Sequence, residues 1–182
     1  MIHKPYQIFY LESLLTITNS AIDSIYRLNF LLNEVDNTKN QVIIDNAQNI
    51  INQAAALSRY FWSISKNSIH KSRSQWLRQK LDIKEYSYLK NRDVRNSIEH
   101  FDEKLDIFCS TIRAGTIIPI YVGDEIVDKS VFFFRAYFID KKTFKILDLT
   151  YEIEPIVSEI IDIHNQLIKL KAGQSNSEKQ PA

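Results

Sequence analysis

The sequence predicts a mainly α domain: a four-helix bundle with a three-stranded antiparallel β-meander inserted between the third and fourth long helices. Three observations carry that expectation. Apolar residues recur at helical spacing along four long segments, β-branched and aromatic residues crowd into three short runs, and only 3 Gly and 4 Pro interrupt 182 residues. A single domain over residues 1–172 accounts for the pattern, with 116–150 as the inserted meander. Residues 173–182 read as a polar, disordered tail.

From Pro5 to about Val35, Ile8, Leu11, Leu15, Ile22, Ile25 and Leu32 share a helical face, and the polar stretch from Asp36 to Asn40 ends the helix. A second helix fits Gln41 to Ser65, with Ile43, Ala47, Ile50, Ala54, Leu57, Phe61 and Ile64 on one face. Two long helices joined by a short polar turn make an antiparallel hairpin. Lys66 to Lys84 is broken and basic, with one short helix around Ser74 to Leu81. A third long helix is expected from about Glu85 to Arg113, striped by Val94, Ile98, Phe101, Leu105, Phe108 and Ile112 and stopped at Ala114-Gly115. The runs "TIIPIYV", "VFFFRAYFI" and "TFKILDL" follow as strands, separated by turns at Gly123-Asp124 and Asp140-Lys141-Lys142. The last helix starts at Pro155, a favoured first-turn position, and carries Ile156, Ile160, Ile163, Leu167 and Leu170.

With 45% hydrophobic and 25% charged residues the chain has ordinary globular composition, which excludes global disorder. Net charge is +1, so an anionic partner must be met by a local patch. No apolar run approaches the roughly 18 residues of a membrane helix, and no signal-peptide pattern opens the chain. The expectation is a cytoplasmic protein without a membrane partner. The single Cys109 lies on an apolar stripe and is expected to be a buried thiol; no metal ligand set surrounds it, and neither a metal nor a cofactor is expected.

The segment "RNSIEH", Arg95 to His100, raises the functional question. If Ile98 marks the core direction of the third helix, His100 and Asn96 each lie roughly 160° from it and within about 40° of one another. Arg95 sits at the flank, roughly 60° from the core direction. One account is a solvated polar face, with Arg95 pairing Glu99 and Asp102. The other is chemical. Metal-free cleavage of RNA needs a group of near-neutral pKa to move protons, which histidine supplies, and a fixed planar cation to stabilise phosphoryl charge, which arginine supplies. Asn96 can orient the ring or hold a phosphate oxygen. A polar face turned from its own core also suits a groove closed by a second copy of the chain.

Arg95, Asn96 and His100, with four residues between the arginine and the histidine, resemble the R-x(4–6)-H motif of the HEPN superfamily. The resemblance covers about residues 5–113 and 153–172. It implies a HEPN-like four-helix bundle, a metal-independent endoribonuclease with Arg95 and His100 as catalytic pair and Asn96 in support, and a composite active site in a homodimer. It also implies a place among toxin or phage-defence effectors, with an antitoxin or defence-system protein as partner. Asp102 stands where many toxin members carry tyrosine, and the meander lies outside the minimal bundle. The alternative is a non-catalytic HEPN-like module binding a nucleotide or a protein, for which the contiguous Phe132, Phe133 and Phe134 would serve.

Charge is unevenly distributed. From Arg59 to Arg95 there are 10 Lys and Arg against 3 Asp and Glu, a net +7; from Asn96 to Asp128 there are 2 against 7, a net −5. Phosphate contacts supply most sequence-independent affinity for nucleic acid. Arg59, Lys66, His70, Lys71, Arg73, Arg78, Lys80, Lys90 and Arg92 are therefore candidates to line an RNA path, with Tyr60, Trp62, Trp76, Tyr86 and Tyr88 interleaved for base stacking or for the core.

Overall fold

The computed structural model describes residues 4–34, 39–84, 87–91 and 101–177. Among them are five α-helices: α1 (Lys4–Leu32), α2 (Asn40–Phe61), α3 (Ser68–Lys80), α4 (Phe101–Thr111) and α5 (Ile153–Ser177). Four strands follow α4: β1 (Thr116–Gly123), β2 (Val131–Phe138), β3 (Thr143–Ile146) and β4 (Leu149–Glu152).

The α1–α2 hairpin forms as its periodicity predicts. Leu11, Leu14, Leu15, Ala21, Ile25 and Leu28 of α1 meet Ile43, Ile44, Ala47, Ile50, Ile51 and Ala54 of α2 in one core. Ile8, expected on that face, is exposed. The interface also carries a polar seam, in which Asn49 Nδ2 donates to Ser24 Oγ at 2.8 Å and to Ser20 Oγ at 3.2 Å. Helix α2 is buried along more of its circumference than any one neighbour requires, because α1, α3, α5 and the inner face of the sheet all pack on it.

The expected four-helix bundle with a three-stranded antiparallel meander is overturned. The sheet follows the fourth of five helices, has four strands in the order β1-β2-β3-β4, and is mixed. β1 and β2 run parallel, Thr116 opposite Val131 and Gly123 opposite Phe138. Only residues 124–130 connect them. Returning over seven strand positions requires about 23 Å, and eight chain steps reach at most about 26–29 Å, so this strap has almost no slack around its turn at Asp128–Val131. The Gly123-Asp124 turn signal is real, yet a connection this short ordinarily means a hairpin, which is why sequence reading predicts the wrong direction. The fourth strand arises because "TFKILDL" breaks at Leu147-Asp148. Leu147 takes φ 56 in a two-residue turn that ordinarily calls for glycine.

The helices depart from expectation as well. α3 begins at Ser68, six residues before the predicted start, and α5 runs past Gly173 to Ser177, into the expected tail. Glu85, Tyr86 and residues 92–100 of the expected third helix lie outside the described residues; between them Tyr88–Lys90 is a single 3₁₀ turn and Asn91 is extended at ψ 129, so the described residues 87–91 do not continue an α-helix. The reason is Glu159 of α5. Its carboxylate accepts Ser87 Oγ at 2.5 Å, the Tyr88 N–H at 2.6 Å and the Leu89 N–H at 3.2 Å, diverting the backbone from helical bonding. α4 buries no side chain completely, and its Cys109 is exposed rather than buried.

The sheet is fastened to α2 by Arg135, whose Nη1 donates to Asp45 Oδ1 at 3.1 Å. Its strands do not alternate strictly. Ile118, Tyr121, Phe133, Ala136 and Phe138 form a second apolar cluster, while Ile120, Val122, Phe134 and Tyr137 join the main core. The alternation breaks at Pro119 opposite Phe134, where proline cannot donate to a ladder. The three consecutive phenylalanines are thereby divided: Phe132 meets Phe108, Phe134 meets Phe101, and Phe133 packs with Tyr121 and Phe138. They do not form the continuous aromatic platform that a binding module would use.

Candidate nucleic-acid interface

The corner between α2 and α3 gathers most of the described basic candidates, and local hydrogen bonding explains why the chain turns there. Ser63 Oγ accepts the Ser65 N–H, Ser65 Oγ the Asn67 N–H, and Asn67 Oδ1 the Ile69 N–H, at 3.2, 3.2 and 2.9 Å. Three successive short polar side chains thus replace helical bonds with side-chain turns, and the last caps α3. This stops α2 at Phe61, four residues before the predicted end.

A helix that stops leaves four carbonyls without partners. Here all four are met. The Trp62 N–H donates to the Ser58 carbonyl at 2.8 Å. Arg73 Nη2 donates to the Arg59 carbonyl at 2.9 Å, Ser74 Oγ to the Tyr60 carbonyl at 2.9 Å, and Arg78 Nη1 to the Phe61 carbonyl at 2.8 Å. Two cations at the negative end of the α2 dipole add favourable electrostatics. Arg73 also stands over the Tyr60 ring at 5.1 Å, and the Tyr60 hydroxyl meets Ser13 Oγ of α1 at 2.6 Å.

Two clefts adjoin at this corner and share Trp62 and Ser63. One, of about 240 Å³, is lined by Arg59, His70 and Arg73 together with Ile64 and Ser65. The other, of about 700 Å³, is lined by Lys71 and Arg78 with Ser74, Gln75, Gln79 and Asp82. Five of the predicted RNA contacts therefore converge around one half-buried tryptophan. Lys66 is exposed in the α2–α3 connection and lines neither cleft. Lys90 is exposed on the 3₁₀ turn, which packs on α2 and α5 instead. Arg92, Arg95, Asn96 and His100 lie outside the described residues, as does Tyr86.

The aromatics split by role. Trp76 packs against the main core, Tyr60 is covered by Arg73, and Tyr88 is half exposed with its hydroxyl 3.4 Å from Glu152. Trp62 remains the ring best presented to the two clefts. Sequence reading missed that Arg73 and Arg78 also hold α2, because their carbonyl partners lie 14 and 17 residues away and no short-range pattern signals them. It missed Glu159 for the same reason. No described helix is long and apolar enough to cross a membrane. No family model, no curated protein and no solved structure compared with the chain matches it.

Proposed function

We propose that this protein acts on RNA as a metal-independent endoribonuclease of the cytoplasm, working as a homodimer, with a toxin or phage-defence role and an antitoxin or defence-system protein as further partner. The observation that carries the RNA reading is the meeting of Arg59, His70 and Arg73 with Lys71 and Arg78 on two clefts that share Trp62. A cationic corner with one presented aromatic suits unpaired RNA: the charges meet phosphates and the indole stacks a base. Arg73 and Arg78 are suited to a bound polyanion because their carbonyl bonds hold them in place while leaving guanidinium N–H groups for phosphate.

The cleavage chemistry rests on the spacing of Arg95, Asn96 and His100. The substrate's own 2′-hydroxyl attacks the adjacent phosphorus, the P–O5′ bond breaks, and a 2′,3′-cyclic phosphate and a 5′-hydroxyl result. His100 takes the proton from the 2′-hydroxyl or gives one to the leaving oxygen, Arg95 stabilises charge on the phosphoryl oxygens, and Asn96 positions one of them.

The test is cleavage of RNA by the purified protein in EDTA, beside His100→Ala, Arg95→Ala and Trp62→Ala. Cleavage by the parent that the first two substitutions each abolish, with Trp62→Ala weakening RNA binding, is the expected result. Retained RNA binding without cleavage would move the reading to a non-catalytic binding module. Loss of both would end it.

A further inference from the structure

Helix α1 turns one face to the core and leaves the other uncovered. On the open face stand Phe9, Glu12, Thr16, Asn19, Asp23, Tyr26, Arg27 and Phe30, all exposed. The aromatic members are the most open: Phe9 is 69%, Tyr26 72% and Phe30 62% exposed. Steps of three and four residues from Phe9 to Phe30 form a straight seam of the kind that packs against another helix. The seam is about 31 Å long at 1.5 Å per residue.

Its order of chemistry identifies the occupant. From one end the seam presents Phe9, Glu12, Thr16 and Asn19, and from the other Phe30, then Arg27 beside Tyr26, then Asp23. Glu12 and Arg27, at mirrored positions, have opposite sign. An antiparallel copy related by a twofold axis between Asn19 and Ser20 would set Phe9 against Phe30, Glu12 against Arg27 and Thr16 against Asp23. Each contact would occur twice, as an isologous interface requires. A parallel copy would instead stack Glu12 on Glu12 and Arg27 on Arg27. Glu12 already receives Lys171 Nζ of its own chain on Oε1 at 2.9 Å. That exposed pair is weakly held, and the second carboxylate oxygen can accept a guanidinium.

We infer that α1 is the face on which two copies of this chain associate, antiparallel, through paired Phe9–Phe30 contacts and reciprocal Glu12–Arg27 ion pairs. The inference uses α1 alone and stands whether or not the protein cleaves RNA. The Ser13–Tyr60 bond puts the α2–α3 corner near the first half of α1. An antiparallel pair would therefore carry its two cationic corners at opposite ends.

The experiment is sedimentation equilibrium on the full chain at low salt, with helical content checked by circular dichroism. The parent is expected to dimerise. Arg27→Glu and Glu12→Arg are each expected to weaken the dimer about tenfold or more by opposing like charges, and the double variant to recover it by recreating the pairs in reverse. Phe30→Asp should leave a folded monomer. In a Cys109→Ser background, Asn19→Cys lies beside the axis and should oxidise to a disulfide-linked dimer, whereas Phe9→Cys, far from it, should not. A parent that stays monomeric at every accessible concentration, a dimer indifferent to Arg27→Glu and Phe30→Asp, or a double variant no better than the singles would overturn the inference.

Discussion

Arg78 carries two duties that one side chain can reconcile. It supplies positive charge to a cleft and closes the last carbonyl of α2, that of Phe61, at 2.8 Å. Arg78→Ala should cost about 1.5–3 kcal/mol of stability, the value of a hydrogen bond to a charged group, and Arg78→Lys should recover part of it; urea unfolding measures both. The positive charge was legible in the sequence, but the carbonyl was not, since the contact exists only after α3 folds back. Tyr137 offers a second check. Burial first, and the nearby Glu154 second, push its hydroxyl up to about 12 from 10.0. The native state therefore keeps a proton that the unfolded chain releases, so the Tyr137 contribution to stability is constant below pH 10 and is lost between about 10 and about 12. Tyr137→Phe should remove that alkaline fall, visible as superimposable stabilities at neutral pH that diverge above it.

At the scale of elements, three of the four strands and the antiparallel β2–β3 pair were legible, while β4 and the parallel direction of β1–β2 were not. β-branched and aromatic runs mark all three predicted strand segments, but pairing direction depends on contacts that composition does not encode. Gly115 shows how a correct signal can carry a different meaning. It reads as a helix stop, and its larger constraint is space: at φ +142, a Cβ there would lie 2.2 Å from the Ser130 carbonyl oxygen and 2.7 Å from the Phe132 ring. That same carbonyl receives the Thr116 N–H at 2.8 Å as β1 begins. Gly115→Ala should therefore destabilise the protein by about 2–4 kcal/mol and release β1 first, as faster hydrogen exchange at its amides than in β3. Leu147 is the opposite case, a turn with no turn residue. Its left-handed backbone costs about 1–2 kcal/mol. Burial of the side chain, about 1.5–3 kcal/mol, offsets that cost. Glycine is absent because the core needs the leucine, and the hairpin was invisible for that reason.

Across the whole molecule, the charge division read from sequence survives folding in part. Arg59, Lys71, Arg73 and Arg78 gather at the α2–α3 corner, while Asp102, Glu103 and Asp106 are exposed on α4, and Asp124, Glu125 and Asp128 on the strap. RNA affinity should then fall steeply with salt. Lys71→Ala should reduce the log–log slope by about 0.7 for single-stranded RNA, while Lys141→Ala, in the turn between β2 and β3, should leave it unchanged; fluorescence anisotropy across a salt series reads both. The α1–α2 hairpin was the most legible part of the molecule because its core is continuous and local. The bundle failed because α2 presents its remaining flank to a sheet, a choice made by Arg135, Asp45 and the inward residues of three strands rather than by any helix.

The taut strap between β1 and β2 sets a rule for the history of this chain. A connection with slack can gain or lose residues, but this one has almost none to give. An added residue can loop outward into solvent. A lost residue must drag β1 one position along β2 and turn every side chain of the strand to the wrong face. Relatives that keep the parallel pair should accordingly show insertions between positions 123 and 131, and no deletions.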